Sequence, residues 1–268
     1  MEDNIKVETV ETEKHEVSAI NEKMIPATVN TISKTMEEYV KRGLVLPKDY
    51  SVENAVIGAY NILMQDPKIN TYDKNSIRNC LVQMCTLGLN PNKNQAYFIP
   101  YSNKLTLNVS YFGKCAIVKR INGVKDVVSD VIYKDTEYEL ITDEFGMEDI
   151  KITKPCPIDK RNGEDIVGVW CKVILDKDIF GRETHTTIMS IDDVKKSWNQ
   201  GATKGNSPAH KNFTGEMCKK TCINRAIKLF INTIADQDIL VGTLNEVTSA
   251  EYENQEQPKK EDKVIIDI

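Results

Sequence analysis

Eight basic side chains and no acidic one occupy the 52 residues between Asp73 and Asp126: Lys74, Arg78, Lys93, Lys104, Lys114, Lys119, Arg120 and Lys125. Ammonium and guanidinium groups at this density neutralise a polyanion, and they need no cofactor to do it. A second block, Lys195 to Lys228, sets Lys195, Lys196, Lys204, Lys211, Lys219, Lys220, Arg225 and Lys228 against Glu216 alone, net +7. Residues 126–194 between the blocks are net −9, and the whole chain is −5. Solubility favours mixed signs, so two long single-sign stretches point to a binding field and not merely a solvated surface. Aromatic rings interleave with the charges: Tyr97, Phe98, Tyr101, Tyr111 and Phe112 in the first block, Trp198 and Phe213 in the second. Such rings stack on unpaired bases for about 1–3 kcal/mol each. Phosphate neutralisation plus base stacking is the chemistry of holding a single nucleic-acid strand.

Other chemistries lack their residues. A phosphate-cradling Gly-x4-Gly-Lys-Ser/Thr loop is absent: Gly113-Lys114 is followed by Cys115, and Asn108 stands where the first glycine belongs. No GxGxxG opens a helix, and no GxSxG is present. Asp149-Ile150-Lys151, with Asp143 or Glu144 upstream, has the form of an acid-x-Lys metal-nuclease motif, but so short a match is common in a solvated strand edge. Three histidines, none near a cysteine pair at ligand spacing, argue against zinc. No catalytic residue and no metal ligand is expected.

The elements that must position these groups are legible in the periodicity. Val29, Ile32, Met36 and Val40 share a face of a helix over Thr28 to Arg42. A second helix starts after Ser51 and stops before Pro67, and a third runs from Asn75 to Leu87, ended by Gly88. Gln95–Tyr101 and Lys104–Val109 read as a hairpin about Ser102-Asn103. Tyr97, Ile99 and Tyr101 take one face of its first strand; Ala96, Phe98 and Pro100 take the other. Ser110 caps a short helix, Tyr111 to Ile121. Strands follow at Lys125–Tyr133, Glu137–Ile141, Ile166–Leu175 and Thr184–Met189. A short helix opens at Ser190 or Asp192 and ends near Trp198. Residues 199–211 are Gly/Asn/Ser/Pro-rich and read as a loop, before a long basic helix from Thr214 to Ile231. The order predicts an α+β fold: N-terminal helices, a β-hairpin, a helix, an antiparallel or mixed sheet, then the long C-terminal basic helix.

Composition sets the class. Forty per cent apolar and 28% charged residues are ordinary for a globular chain, with no run long enough to cross a membrane. Residues 1–24 and 246–268 are each net −4 and are expected to be disordered acidic tails around one folded domain over 25–245. The N-terminus lacks the apolar stretch of a signal peptide. Seven cysteines without a CxxC pair are expected to be reduced, buried thiols of a cytoplasmic protein.

Two segments carry a family likeness. LGLNPNKNQAYFIPYSNKLTLNVSYFGKCAIVKR, from Leu87 to Arg120, and EMCKKTCINRAIK, from Glu216 to Lys228, resemble the central block and the Met-x-Lys-Lys-Thr helix of the RecT/Redβ phage recombinases. The resemblance implies ATP-independent annealing of complementary single strands in homologous recombination, by a ring or helical filament with a basic groove. It implies that Tyr111 to Gly113 with Lys93, Lys104 and Lys114 line one wall, and that Lys219, Lys220, Arg225 and Lys228 line the other. With the flanking basic and aromatic residues, the expected DNA-binding set is Lys93, Tyr97, Lys104, Tyr111, Lys114, Lys119, Arg120, Lys195, Lys196, Lys211, Lys219, Lys220, Arg225 and Lys228. Expected partners are single-stranded DNA, the annealed duplex, further copies of the chain, a 5′→3′ exonuclease and the single-strand binding protein of a bacterial host, for a phage or prophage gene. No cofactor is expected to be required, with a magnesium dependence of DNA binding left open. A non-annealing single-strand binding protein, a metal-dependent nuclease and a protein-binding scaffold are the alternatives. One departure stands out: where the family has Pro-Trp before the basic helix, this chain has Pro208-Ala209-His210.

Overall fold

The structure, a computed structural model, describes residues 27–143, 146–201, 203–231 and 242–247. The expected N-terminal tail and residues 248–268 lie outside them. The chain divides into two compact units, one up to Leu107 and one from Asn108.

The first unit is helical. Helix α1 covers residues 27–41, with Ile32 and Met36 buried. Helices α2 (Val52–Leu63) and α3 (Lys74–Thr86) follow. Each starts at a side-chain cap: Ser51 accepts the Asn54 N–H at 3.1 Å, and Asp73 accepts that of Ser76 at 2.8 Å. Val56, Ala59, Leu81 and Met84 supply the buried faces. At the end of α3 the Gly88 N–H bonds the Cys85 carbonyl and the Leu89 N–H bonds that of Met84, with Gly88 at φ +60°. That is a Schellman cap, and the fully buried Leu87 and Leu89 flank it. The Leu-Gly-Leu run is therefore a helix stop whose two leucines lock it into the core.

A 3-10 turn (Pro91–Lys93) then leads into the hairpin β1 (Ala96–Tyr101) and β2 (Lys104–Val109). The Ser76 hydroxyl accepts the Leu105 N–H at 2.9 Å, and the Asp73 N–H bonds the Asn103 carbonyl at 2.7 Å. These bonds fix the start of β2 to the start of α3.

The second unit is sheet and helix. Helix α4 (Tyr111–Val118) is followed by β3 (Val124–Tyr133), β4 (Glu137–Thr142), β5 (Glu148–Lys154), β6 (Ile166–Leu175), a one-turn helix α5 (Lys177–Phe180) and β7 (Thr184–Ser190). Then come α6 (Ile191–Asn199), α7 (Pro208–Asn212), α8 (Thr214–Ile231) and a short α9 at 242–247. Strands β3, β6 and β7 form one antiparallel sheet in that order, with Val127 opposite Val173 and Val169 opposite Met189. Helix α8 packs across one face, its Cys222, Ile223, Ala226, Ile227 and Phe230 buried with Val169, Cys171 and Val173 of the sheet. Strands β4 and β5 form a separate antiparallel ribbon. It is tied to the sheet through Asp149, which accepts from Lys172 and from the Thr186 hydroxyl, each at 2.7 Å. Among the described residues no helix is long and apolar enough to cross a membrane.

The α+β expectation holds, and the expected mixed or antiparallel sheet is antiparallel. Five local differences stand. Strand β5 lies where the sequence suggested only a solvated strand edge, and α5 forms in the connection between β6 and β7, where no helix was expected. Helix α7 forms inside the expected loop because Ser207 caps it and Pro208 suits its first turn. Helix α4 ends at Val118 and does not reach Ile121. Helix α9, with Leu244 and Val247 buried, spans the boundary expected at 246.

Candidate nucleic-acid interface

In the first unit, Lys93 sits at the end of the 3-10 turn. The turn is held by the Asn90 carboxamide, which accepts the Asn92 N–H at 2.9 Å, and by Asn94 in the left-handed region at φ 53°. Lys104 opens β2 directly after the hairpin turn. Both are exposed, and neither makes an ion pair among the described residues. Tyr97 is exposed on β1, while Ala96 behind it is buried.

In the second unit, Ser110 caps α4 by accepting the Gly113 N–H at 3.1 Å. Tyr111 and Phe112 project from the first turn with ring centroids 4.0 Å apart and planes tilted 32°. Phe112 is the more exposed of the two. Lys114 follows on the same helix, half-buried and outside any ion pair among the described residues. Lys119 is committed elsewhere: its ammonium meets Asp126 at 2.8 Å and holds that carboxyl below its usual range. Arg120 is half-buried.

Helix α4 packs against α8, as do α6 and α7. On α8, at ~100° per residue, Lys220, Arg225 and Lys228 fall within an arc opposite the buried Ala226–Phe230 stripe. All three are exposed and make no ion pair among the described residues. Lys219 points toward the buried side, 28% exposed, and is paired with Glu216. On α6, Lys195 is exposed and unpaired among the described residues, whereas Lys196 meets Asp193 at 3.3 Å. Lys211 on α7 is exposed. The structure thus sorts the expected cations into free ones and ones already neutralised.

The rings sort too. The Trp198 indole N–H donates to the Thr221 hydroxyl at 2.8 Å, and its ring meets the His210 edge at 4.6 Å. Gly205, at φ +74°, lies so close that an added Cβ would sit 3.3 Å from the Trp198 ring. Trp198 is therefore a structural ring that packs the altered Pro208–His210 stretch onto α8. Phe213, between α7 and α8, is 64% exposed. Phe112 and Phe213, named among the stacking rings from the sequence, are exposed at 49% and 64%.

The nuclease motif is occupied differently. The Asp149 carboxylate is engaged by Lys172, Thr184 and Thr186, and its own Ile150 N–H. Burial pushes its pKa up, but Lys172 and these donors outweigh that and hold it low. Asp143 accepts the Met147 N–H at 2.8 Å, and Glu144 lies outside the described residues. Among the described residues no group of three or more His, Cys, Asp or Glu is placed to hold a metal. All seven cysteines are free thiols, and burial pushes Cys80, Cys85 and Cys222 up to about 12.

Unpaired cations and open rings on a helix-and-antiparallel-sheet framework are the groups that suit a polyanion with exposed bases. The family profile described as the RecT family matches residues 53–264, most of the chain. The protein belongs to the RecT family, whose members bind and anneal DNA in recombination. No curated protein matches the chain.

Proposed function

We propose that this protein binds single-stranded DNA and anneals complementary strands without ATP, as a cooperative oligomer. The observation that carries the reading is the outer face of α8. Lys220, Arg225 and Lys228 stand there exposed and outside any ion pair among the described residues, whereas Lys219 on the same helix is paired with Glu216. Cations left unneutralised take phosphate oxygens and release counterions, which gives affinity without sequence preference. Lys93 and Lys104 do the same in the first unit, where Tyr97 is exposed as well. Backbone-led binding leaves base edges free, so pairing itself tests complementarity. Cancelling phosphate charge removes the repulsion that the incoming strand meets. Neighbouring copies extend the bound tract, and a long duplex is held cooperatively. No covalent bond is made or broken, so no cofactor is needed; magnesium acts, in this reading, only by competing for or bridging phosphates. In the cell the protein works in a bacterial cytoplasm, on strands resected by a 5′→3′ exonuclease and coated by the host single-strand binding protein.

The test mixes purified protein with two complementary oligonucleotides, without ATP, with and without magnesium. Faster annealing with intact strands supports the reading. DNA retained with annealing slowed indicates a coating protein, strand loss with magnesium indicates a nuclease, and no DNA retention indicates a scaffold.

A further inference from the structure

The departure at Pro208-Ala209-His210 brings a titratable ring to the basic helices of the second unit. His210 lies on α7 and is held from three sides. Its Nδ1 and the Ser207 hydroxyl are 2.7 Å apart. The Thr214 hydroxyl, at the start of α8, donates to its carbonyl at 2.9 Å. Its ring meets that of Trp198 at 4.6 Å with the planes 72° apart, and Trp198 is bonded in turn to Thr221, the chain neighbour of Lys220. One polar atom of the ring is left over. Nε2 makes no hydrogen bond among the described residues, and unlike the His185 Nδ1 it is not an unpartnered atom shut away from solvent.

Charged side chains stand on every element around this ring. They are Lys211 on its own helix, Lys204 in the loop before it, Lys195, Asp192 and the Lys196–Asp193 pair on α6, and Lys220 with the Lys219–Glu216 pair in the first turns of α8. Lys220 is the one that bears on the ring, and no carboxylate among the described residues does. Burial and then Lys220 disfavour the proton, so the free protein keeps the ring neutral near pH 7. A phosphate taken by the exposed Lys220 reverses both effects of that ammonium. It cancels the repulsion, and it offers an acceptor to the Nε2–H, a bond that strengthens when the ring is ionised. The Ser207 hydroxyl suits either state: it donates to Nδ1 of the neutral ring and, turned round, accepts from the protonated one. We infer that His210 is a further phosphate contact of this surface, and that the protein takes up a proton there when it binds a single strand. Linkage is reciprocal, so acid tightens the binding that takes up the proton. The inference rests on the single-strand binding proposed above and adds a residue and a pH response to that site.

The test titrates the full chain calorimetrically with an oligothymidylate, whose bases do not ionise in this range, at about pH 6.5 in two buffers of unlike ionisation heat. Heats that differ between the buffers in the sense of proton uptake are expected, with affinity roughly threefold higher at pH ~6 than at pH ~7.5. His210→Gln, and His210→Phe, which keeps a ring against Trp198, should abolish both effects. His185→Gln, at the other described histidine, should leave both in place. Heats independent of the buffer, or uptake that survives both His210 variants, overturns the assignment and leaves His210 a packing ring. If the unaltered chain retains no oligonucleotide, the functional reading fails and this inference with it. If it binds and anneals without uptake at His210, only this inference falls.

Discussion

Lysines that look alike in the sequence differ in what they have left to give. A cation already neutralised by a carboxylate releases few counterions on binding DNA, whereas an unpaired one releases its full share. Lys220→Ala, Arg225→Ala and Lys228→Ala should each weaken binding of every single-stranded sequence alike and flatten the salt dependence by about 0.7 in log–log slope. Lys219→Ala, Lys119→Ala and Lys196→Ala should leave that slope nearly unchanged, because Glu216, Asp126 and Asp193 already hold those charges. Anisotropy titrations across a salt series decide it, and equal slope losses in both groups would sink the distinction. Two of these pairings, Lys196 with Asp193 and Lys219 with Glu216, are three residues apart on a helix and were open to reading from spacing. The Lys119–Asp126 pair joins a helix end to a strand, and no local pattern announces it.

At the scale of the element, local chemistry accounts for what was legible. Helix α8 was bounded correctly from sequence because its apolar stripe is long and strongly periodic. The hairpin was legible because two alternating runs flank a two-residue turn. Strand β5 was not, since Asp149, Lys151 and Lys154 make it read as solvated surface, and the Asp149–Lys172 contact that ties it to another sheet exists only in the fold. The role of Trp198 was likewise hidden, because Thr221 and His210 reach it only through the fold. The Leu-Gly-Leu stop after α3 is the most exacting local device. Gly88 holds φ +60° while its neighbours are buried, so Gly88→Ala should destabilise the protein by about 1 kcal/mol or more in chemical denaturation. An unchanged midpoint would mean that the cap relaxes at no cost.

Across the whole molecule, the ionisable groups predict how acid acts. Burial, and then Arg182, holds the His185 pKa below its ordinary value; burial, and then Lys220, does so for His210. A lowered histidine binds its proton more readily when unfolded, so stability is full above the unfolded value of about 6.5 and falls as pH drops below it. Asp126 and Asp149 are also held low, and their contribution is lost at more acid pH, as pH falls below about 4. Melting temperature should therefore stay level above pH ~7 and fall in two stages, with the first stage smaller in His185→Gln. A first stage identical in that variant would remove His185 from the account. The division into two units bears on how such melts are watched. Both tryptophans, Trp170 and Trp198, lie in the unit that begins at Asn108. Indole emission is thus a built-in optical reporter for that half alone, blind to α1–α3 and β1, whereas helical ellipticity sees both halves. Because Trp198 is bonded to Thr221 of α8, its emission also serves as a label-free gauge of what settles on that helix.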